Sequence, residues 1–384
     1  MLTFVQTQSK RAMEQVFIFG KPVDDKAFTD RESESARLKA NFEGGINTFI
    51  ISPRRWGKTS LVKKVIREAG KNSPVYVFAD VFKAKTPADF CEILGNAVLK
   101  QTSSAMEEFI DNARRFLGRI NIGVNLTPDG INPVKFQFGL DNERETIEDI
   151  LQLPERIARR KKVRLVICID EFQQIAEFED SLSFQKQLRT VWQHQENVSY
   201  CLFGSKKHMM EGLFNGESKP FYQFGDVLYL KKIPFSHWRD FISFRFARGG
   251  KTISVPQIER ICQAVDFHSS YVQQLCWYVY LFSGETVVDQ DIDNGLVELV
   301  EQNTALFESR TESLTPVQMR FLKAVADGVT EGFSSAVVIS RYKLGSSASS
   351  VATRKALLEK GLIYEDASKY YLADPVMGLW LTRD

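Results

Sequence analysis

Short apolar runs alternate with longer amphipathic segments through the first part of the chain. The runs lie at 47–51, 74–80, 163–169, 198–203 and 227–230. A short apolar run bounded by turn residues predicts a buried strand, and apolar residues at every third or fourth position predict a helix. Strands that alternate with helices favour a parallel sheet with helices on both faces. We therefore predict an α/β domain over residues 1–233.

Three further elements are predicted in this region. Residues 16–20 predict a further short strand, and Thr29 or Asp30 is predicted to cap a helix that runs through Phe42. Alternating residues around a Pro-Asp-Gly turn predict a β-hairpin over about 121–138, which we interpret as an insertion into the α/β domain.

The predicted strands stop at Pro234, and the pattern changes twice in the remaining sequence. Residues 234–308 show helical periodicity throughout, which predicts an all-α domain. Residues 313–384 predict three helices followed by a β-hairpin, which is the element order of a winged helix-turn-helix. The pattern therefore predicts three domains in series.

The composition agrees with a soluble globular protein and excludes few functions. Hydrophobic residues make up 43% of the 384 positions and charged residues 26%. The net charge of +2 gives no overall argument for a nucleic acid or a membrane surface as partner. The five cysteines include no C-x-x-C pair, which favours reduced thiols, and the longest apolar run, 165–169, is too short to cross a bilayer. The first 15 residues lack an apolar signal segment, so we expect a cytoplasmic protein.

The segment after the strand at 47–51 carries the strongest chemical signal. Its residues are Ser52, Pro53, Arg54, Arg55, Trp56, Gly57, Lys58, Thr59 and Ser60, and a predicted helix follows. A strand, a tight loop ending in Gly-Lys-Thr and a helix form a P-loop, where backbone N–H groups and the helix dipole bind phosphate. Lys58 is expected to reach the β- and γ-phosphates of a nucleotide, and Thr59 to bind Mg²⁺. Ser52 stands where the usual pattern has glycine, and it is small enough for the tight turn.

Two later strand ends supply the other groups that a P-loop ATPase needs. The run at 163–169 is followed by Asp170 and Glu171. Asp170 is predicted to hold Mg²⁺, and Glu171 to orient or deprotonate the attacking water. A Gly-Ser pair follows the strand at 198–203, and its Ser205 is a candidate sensor of the γ-phosphate. A plain strand-ending turn is the alternative interpretation of this pair.

These motifs, in this order, resemble the prokaryotic and archaeal ATPase family of the AAA+ superfamily, in the branch of the STAND signal-transduction ATPases and their origin-recognition-like relatives. The resemblance rests on Phe28–Glu32, Ser52–Leu61, Ile169–Phe172 and Phe203–Ser205, and on a closing segment at Leu362–Trp380. The form Pro-Arg-Arg-x-Gly-Lys-Thr-Ser-Leu is typical of that family. The resemblance covers nearly the whole chain. It implies a P-loop sheet in the AAA+ strand order, a helical lid at 234–308 and ATP bound between them.

The resemblance also implies further nucleotide contacts and a regulatory role. Phe28 and Arg31 are expected near the adenine, and His268 matches a family segment that approaches the phosphates. The proline usual in that segment is missing here, and an ordinary histidine at a helix start is the alternative. Oligomeric relatives need an arginine from a neighbouring subunit, for which Arg189 is the best candidate. Because ATP often acts as a switch in this branch, we expect slow hydrolysis to ADP, with ATP binding at negligible turnover as the alternative.

A cluster of basic residues marks the helix-turn-helix part of the predicted winged helix. It consists of Arg341, Lys343, Arg354, Lys355 and Lys360. Contacts to DNA phosphates need such a cluster. Winged helices also bind proteins, so a protein partner or a second copy of the chain is the alternative. The sequence predicts a nucleotide-controlled switch that acts through such partners, and a DNA-binding ATPase of origin-recognition-like type remains the second interpretation.

Overall fold

The computed structural model describes residues 16–20, 29–70, 73–104, 122–125, 135–138 and 143–383, together with residues 108, 112 and 115. The described chain forms two compact units. The described residues from 31 to 231 make up the sheet unit, and the described residues before Arg31 together with those after Lys231 make up the helical unit. Within the sheet unit, the guanidinium of Arg31 donates to the backbone oxygen of Lys231 over 2.6 Å. The two ends of the sheet unit therefore lie side by side.

The described part of the sheet unit contains a five-stranded parallel sheet and a separate strand pair. The strands are β1 (Thr48–Ile51), β2 (Val75–Asp80), β3 (Ile122–Asn125), β4 (Lys135–Phe138), β5 (Leu165–Asp170), β6 (Val198–Gly204) and β7 (Asp226–Tyr229). The parallel strands follow the order β2-β5-β6-β1-β7. The predicted α/β sheet is confirmed, with β6 between the P-loop strand and β5. β3 and β4 pair antiparallel, and the Pro-Asp-Gly turn predicted between them lies outside the described residues.

Helices precede and connect the parallel strands. They are α1 (Glu32–Gly44), α2 (Lys58–Arg67), α3 (Pro87–Thr102), α4 (Glu143–Lys161), α5 (Ser181–Trp192) and α6 (Lys207–Phe214), and a short 3-10 helix (Phe172–Glu177) follows β5. The sequence pattern predicted neither α6 nor the 3-10 helix. The predicted cap of α1 was wrong, because the helix begins after Arg31, whose backbone is left-handed at φ 77°. Most of the helix predicted at 103–119 lies outside the described residues.

Two groups of polar side chains lie at opposite edges of the sheet, where the strands begin and where they end. β5 and β6 are buried along their whole length, which explains their continuous apolar sequences. At the N-terminal edge, where the strands begin, Asn47 accepts a hydrogen bond from the backbone of Tyr200 over 2.9 Å. The carboxylate of Glu155 accepts there from the backbone and side-chain amides of Asn197. The C-terminal edge, where the strands end, carries the residues predicted to bind nucleotide.

Residues 16–20 do not form the predicted strand. Phe17 is fully buried in the core of the helical unit, and its ring contacts those of Phe241 and Phe246. The backbone N–H of Ile18 donates to the side-chain oxygen of Gln273 over 3.1 Å. The apolar run therefore reflects burial against helices, which a run of this length does not distinguish from a strand.

The helical unit contains the predicted all-α and winged-helix segments. Its elements are α7 (Phe235–Arg248), α8 (Val255–Ala264), α9 (Ser269–Phe282), α10 (Asp289–Thr311), α11 (Pro316–Ala326), α12 (Ala336–Tyr342), α13 (Ser347–Glu359), β8 (Ile363–Asp366), β9 (Lys369–Leu372) and α14 (Pro375–Leu381). β8 and β9 form an antiparallel hairpin after three helices, as a winged helix requires. The sequence pattern did not predict α14.

One hydrophobic core runs through both segments of the helical unit, from Phe17 and the residues of α7–α10 to Met377 in α14. A polar contact reinforces it, because the hydroxyl of Tyr271 in α9 donates to Asp374 over 2.7 Å, and Asp374 caps α14. The division into a lid at 234–308 and a winged helix at 313–384 stays a prediction. Across the described part of the chain, every helix is too short or too polar to span a bilayer.

Candidate active site

The loop between β1 and α2 has the backbone of a tight anion-binding turn. Arg55 and Gly57 both have left-handed backbone conformations, with φ of 63° and 91°. Gly57 is the residue before the first turn of α2, and glycine adopts this conformation without steric cost. The predicted helix begins directly at Lys58, so the N-terminus of α2 and its dipole lie at the C-terminal edge of the sheet. Ser52 is 1% exposed, which leaves little room for a larger residue at the start of the loop.

Lys58 lies buried beneath this loop. Its ammonium donates to the backbone oxygens of Ser52 and Pro53 over 2.9 and 2.8 Å, and to the Ser52 hydroxyl over 3.2 Å. Burial lowers the pKa of Lys58 to about 8, against the opposing attraction of the Glu171 and Asp170 carboxylates. Among the described residues, this buried ammonium donates hydrogen bonds only to neutral oxygens, so a phosphate would add a charged acceptor to the attraction of the two carboxylates.

Thr59 and Asp170 meet at the C-terminal edge, although they come from α2 and β5. The Thr59 hydroxyl donates to Oδ2 of Asp170 over 2.8 Å. Burial raises the pKa of Asp170 to about 6, the Thr59 hydrogen bond opposes this, and the neighbouring Glu171 carboxylate adds to it. A hydroxyl and a carboxylate form the type of oxygen donor set that Mg²⁺ prefers. The structure therefore brings together the two residues predicted to hold the metal.

Glu171 follows β5 in a left-handed conformation, with φ 56°. Its backbone N–H donates to Oδ1 of Asp170 over 2.9 Å. Its side-chain Oε2 accepts from the Ser205 hydroxyl over 2.8 Å and from the Gln173 amide over 2.5 Å. The predicted γ-phosphate sensor and the predicted general base are thus direct neighbours. A left-handed conformation in a non-glycine residue stores backbone strain, which is often found at functional sites.

Sequence reasoning missed Gln173. This residue lies in the 3-10 helix, is 2% exposed and contacts Glu171 directly. Its position two residues after Glu171 was visible in the sequence, but no periodicity predicted the turn that folds its side chain back towards β5. Amide side chains beside an acidic pair are the only signal that could have drawn attention to it.

The other residues predicted to bind nucleotide differ in their burial. Arg54 and Arg55 are exposed, while Trp56 is half-buried and Ser60 is buried on α2. Arg31 is buried, and its guanidinium binds Glu34 over 2.8 Å as well as the backbone of Lys231.

Three further predictions concern residues away from the loop in the sequence. The guanidinium of Arg189 lies over the ring of Phe224 at 4.6 Å, and burial lowers its pKa. His268 belongs to the helical unit, where it is buried at the start of α9 with its ring 4.7 Å from that of Tyr271. Phe28 lies outside the described residues. The nucleotide contacts of Phe28, Arg31 and His268 and the role of Arg189 stay predictions.

The basic residues of the winged helix lie on α12, α13 and the segments that end them. Arg341, Lys343, Lys355 and Lys360 are exposed. Arg354 is half-buried, with its guanidinium 4.9 Å from the centre of the Tyr370 ring on β9. The structure therefore groups these charges on consecutive elements, and most of them face solvent.

Two family models match the chain. The one described as an ATPase domain predominantly from Archaea matches residues 28–275, and the one described as a probable winged helix domain matches residues 305–383. Among proteins with curated functions, none matches significantly.

Solved structures share the fold at low sequence identity. A Walker-type ATPase of Pyrococcus abyssi has a TM-score of 0.68 at 16% identity, over 96% of this chain and 100% of that one. The ORC2 protein of Aeropyrum pernix, solved in complexes with ADPNP and ADP, has a TM-score of 0.58 at 14% identity, over 93% and 94%. The ORC1 protein of the same organism, solved with DNA, has a TM-score of 0.50 at 12% identity, over 94% of each chain.

Proposed function

The chain belongs to the family of ATPase domains found predominantly in Archaea, and we propose that its ATP hydrolysis depends on Mg²⁺ held by Thr59 and Asp170. Family membership makes the chain a nucleotide-binding P-loop ATPase, and the proposal concerns which residues carry out the reaction. The observation that supports it most is the 2.8 Å hydrogen bond between Thr59 and Asp170. Two distant parts of the sequence meet there, at the residues whose oxygens suit the metal.

Each site residue has a distinct part in the proposed reaction. Lys58 and the backbone N–H groups at the start of α2 bind the β- and γ-phosphates. Mg²⁺, when bound, neutralises the charge that develops on those phosphates. Glu171 accepts a proton from the water that attacks the γ-phosphorus, while the bond from that phosphorus to the ADP oxygen breaks. Ser205, whose hydroxyl donates to Glu171 in this structure, senses the γ-phosphate and passes its presence to Glu171 through that hydrogen bond.

Phosphate release measured with the full chain tests these roles. We expect turnover with Mg²⁺ and ATP that EDTA removes, and at least about a 100-fold lower kcat for Glu171→Gln with ATP affinity retained. The matched control is Glu179→Gln, the same chemical change at an exposed glutamate on the loop before α5. Equal turnover of Glu171→Gln and the wild type would remove Glu171 from the reaction.

We further propose that the ATPase acts as a nucleotide-controlled switch, with DNA as the partner of the winged helix. The exposed cations on α12 and α13 support this choice, because DNA binding depends on counter-ion release by such groups. A protein partner or a second copy of the chain is the other candidate, and the acidic Glu365 and Asp366 on the wing favour it.

Fluorescence anisotropy with a labelled DNA duplex separates these partners. The full chain is the right material, because the winged helix shares its core with the preceding helices. We expect salt-sensitive binding that differs between the ATP and ADP states and weakens about tenfold in Arg354→Gln with Lys355→Gln. The control pair, Lys39→Gln with Lys83→Gln, removes the same charge from exposed sites in the sheet unit. Equal losses in both pairs, or no binding at low salt, would contradict DNA recognition by the winged helix.

A further inference from the structure

The nitrogen and the oxygen of the buried Gln173 amide differ in their hydrogen bonding. Its Nε2 donates to Oε2 of Glu171 over 2.5 Å. Its Oε1 is buried and has no hydrogen-bond partner among the residues that the structure describes. An unpaired buried oxygen costs folding free energy, and an apolar side chain of the same shape would avoid that cost. The position of this amide is therefore better explained by what it does to Glu171 than by packing.

The end of β6 is shaped to admit this amide. A Cβ added to Gly204 would lie 1.6 Å from Oε1 of Gln173, far inside any possible contact distance. Gly204 does not have a left-handed backbone, so the lack of a side chain here serves the close approach and not the turn. Ser205, the next residue, donates to the same Oε2 of Glu171. The two neighbouring strand ends thus supply the glutamate with two donors on one oxygen.

We propose that Gln173 is a positioning residue for ATP hydrolysis, which together with Ser205 holds Oε2 of Glu171 and leaves Oε1 to receive the proton of the attacking water. The inference rests on the proposed role of Glu171. A carboxylate at the end of a side chain rotates readily in solution, and two donors on the same oxygen select one orientation. Correct orientation of a reacting group lowers the barrier without changing substrate binding, so the effect belongs in kcat.

The first test replaces Gln173 by methionine, which keeps the length and volume but removes the donor. We expect kcat to fall about 10- to 100-fold while the dissociation constant for ATP stays within twofold of the wild type. A purely structural role would instead lower the melting temperature and weaken nucleotide binding together. Unchanged kcat in a folded Gln173→Met protein would overturn the proposal.

The second test asks whether Gln173 acts through Glu171. In a Glu171→Gln background, the additional Gln173→Met change should leave the residual turnover unaltered, because residues that act as one unit are not additive. Equal fold losses in both backgrounds would overturn the proposal. If Glu171→Gln alone retains full turnover, the proposed function fails and not merely this inference, so the two failures are distinguishable.

The third test displaces the amide without replacing it, and it does not depend on the folding of the methionine variant. Gly204→Ala forces the Gln173 side chain away from β6, so we expect the same loss of kcat with ATP affinity retained. The matched control is Gly212→Ala in α6, where a Cβ would meet nothing within 4 Å. A Gly204→Ala protein with wild-type turnover would contradict the assigned role.

Discussion

The two edges of the parallel sheet carry similar residue types. The surrounding groups favour the charged form of a carboxylate at one edge and disfavour charged forms at the other. At the N-terminal edge, Glu155 accepts from the backbone of Asn197 over 3.0 Å, from its side chain over 2.8 Å and from Arg159 over 2.6 Å. Burial raises the pKa of Glu155, but these donors outweigh it and hold the pKa below its usual range. The carboxylate is therefore stabilised in its charged form by the protein alone.

At the C-terminal edge the protein leaves its charges incompletely compensated. Burial raises the pKa of Asp170 to about 6 and lowers that of Lys58 to about 8, so both charged forms are disfavoured. Glu171 is strained in the backbone, and Gln173 carries an oxygen that no described residue pairs with. A phosphate and a divalent cation would compensate these groups. The comparison teaches that buried charge marks a reactive edge only where the protein's own donors and counter-charges fall short.

The largest effect is expected at Lys58, the buried cation of the C-terminal edge. Lys58→Ala should weaken ATP binding by at least about 100-fold, because the phosphates lose their buried counter-charge. Titration calorimetry with ATP and Mg²⁺ measures this. The control is Lys83→Ala, the same substitution at an exposed lysine after β2. Comparable affinity in wild type and Lys58→Ala would remove the phosphate-binding role of this loop.

Removing the compensated charge at the opposite edge should destabilise the protein. Glu155→Gln places an amide donor among the donors of Asn197 and Arg159, and we expect a loss of about 2 kcal/mol in the free energy of unfolding at pH 7. Because the folded pKa of Glu155 is lowered, its contribution is fully present above its ordinary value of 4.5 and is lost as the pH falls through the folded value.

Urea unfolding of Glu155→Gln and wild type across that pH range measures the difference. ATP affinity serves as the internal control and should not change, since the substitution lies at the edge away from the P-loop. A stability difference that grows in acid would contradict the assignment of Glu155 as a stabilised carboxylate.

A second structural change at the N-terminal edge should have a slightly smaller effect. A Cβ on Gly225 would lie 2.2 Å from the backbone oxygen of Asn47. Gly225→Ala must therefore displace the backbone at the point where the neighbouring strands β1 and β7 begin. We expect a loss of about 1–2 kcal/mol in unfolding free energy with kcat unchanged. Gly204→Ala provides the comparison, because it should change kcat more than stability. The reverse pattern in the two alanine variants would argue against the different roles of the two edges.

The smallest expected change in unfolding free energy is a gain in stability. Asp170→Asn removes a buried charge that the protein alone compensates poorly, so we expect the nucleotide-free protein to gain about 1 kcal/mol in unfolding free energy at pH 7.5. The same variant should lose Mg²⁺-dependent turnover. Thermal unfolding in EDTA gives the first result and phosphate release the second. Destabilisation of the nucleotide-free protein by this substitution would show that Asp170 is already compensated, as Glu155 is.

Local sequence signals predicted the parts of the site that follow directly from strand and loop patterns. The apolar run before Ser52 and the run before Asp170 each ended near the predicted place, because buried parallel strands have continuous apolar sequences. Once the strands are parallel, their ends must share one edge, so the meeting of Thr59 with Asp170 followed from topology. Ser205 came near Glu171 for the same reason.

The rest depended on tertiary packing that no local pattern encodes. Gln173 contacts Glu171 because a 3-10 turn follows β5 and because Gly204 on another strand leaves space. The apolar run at 16–20 predicts a strand, but apolar residues alone do not tell whether a segment packs against strands or against helices. Phe17 instead packs against the rings of Phe241 and Phe246, whose positions the sequence pattern could not supply.

The hydrogen bond from Arg31 to Lys231 has a consequence for how the protein can be divided. It joins the first and last residues of the segment 31–231, so the ends of this segment are adjacent. The described part of the segment also has its own hydrophobic core. Segments with these properties tolerate excision, circular permutation and insertion into other scaffolds, because closing their ends costs little chain entropy. The part of the chain that carries the P-loop, Asp170 and Glu171 thus has the adjacent ends that such rearrangements need, and Arg31 joins them.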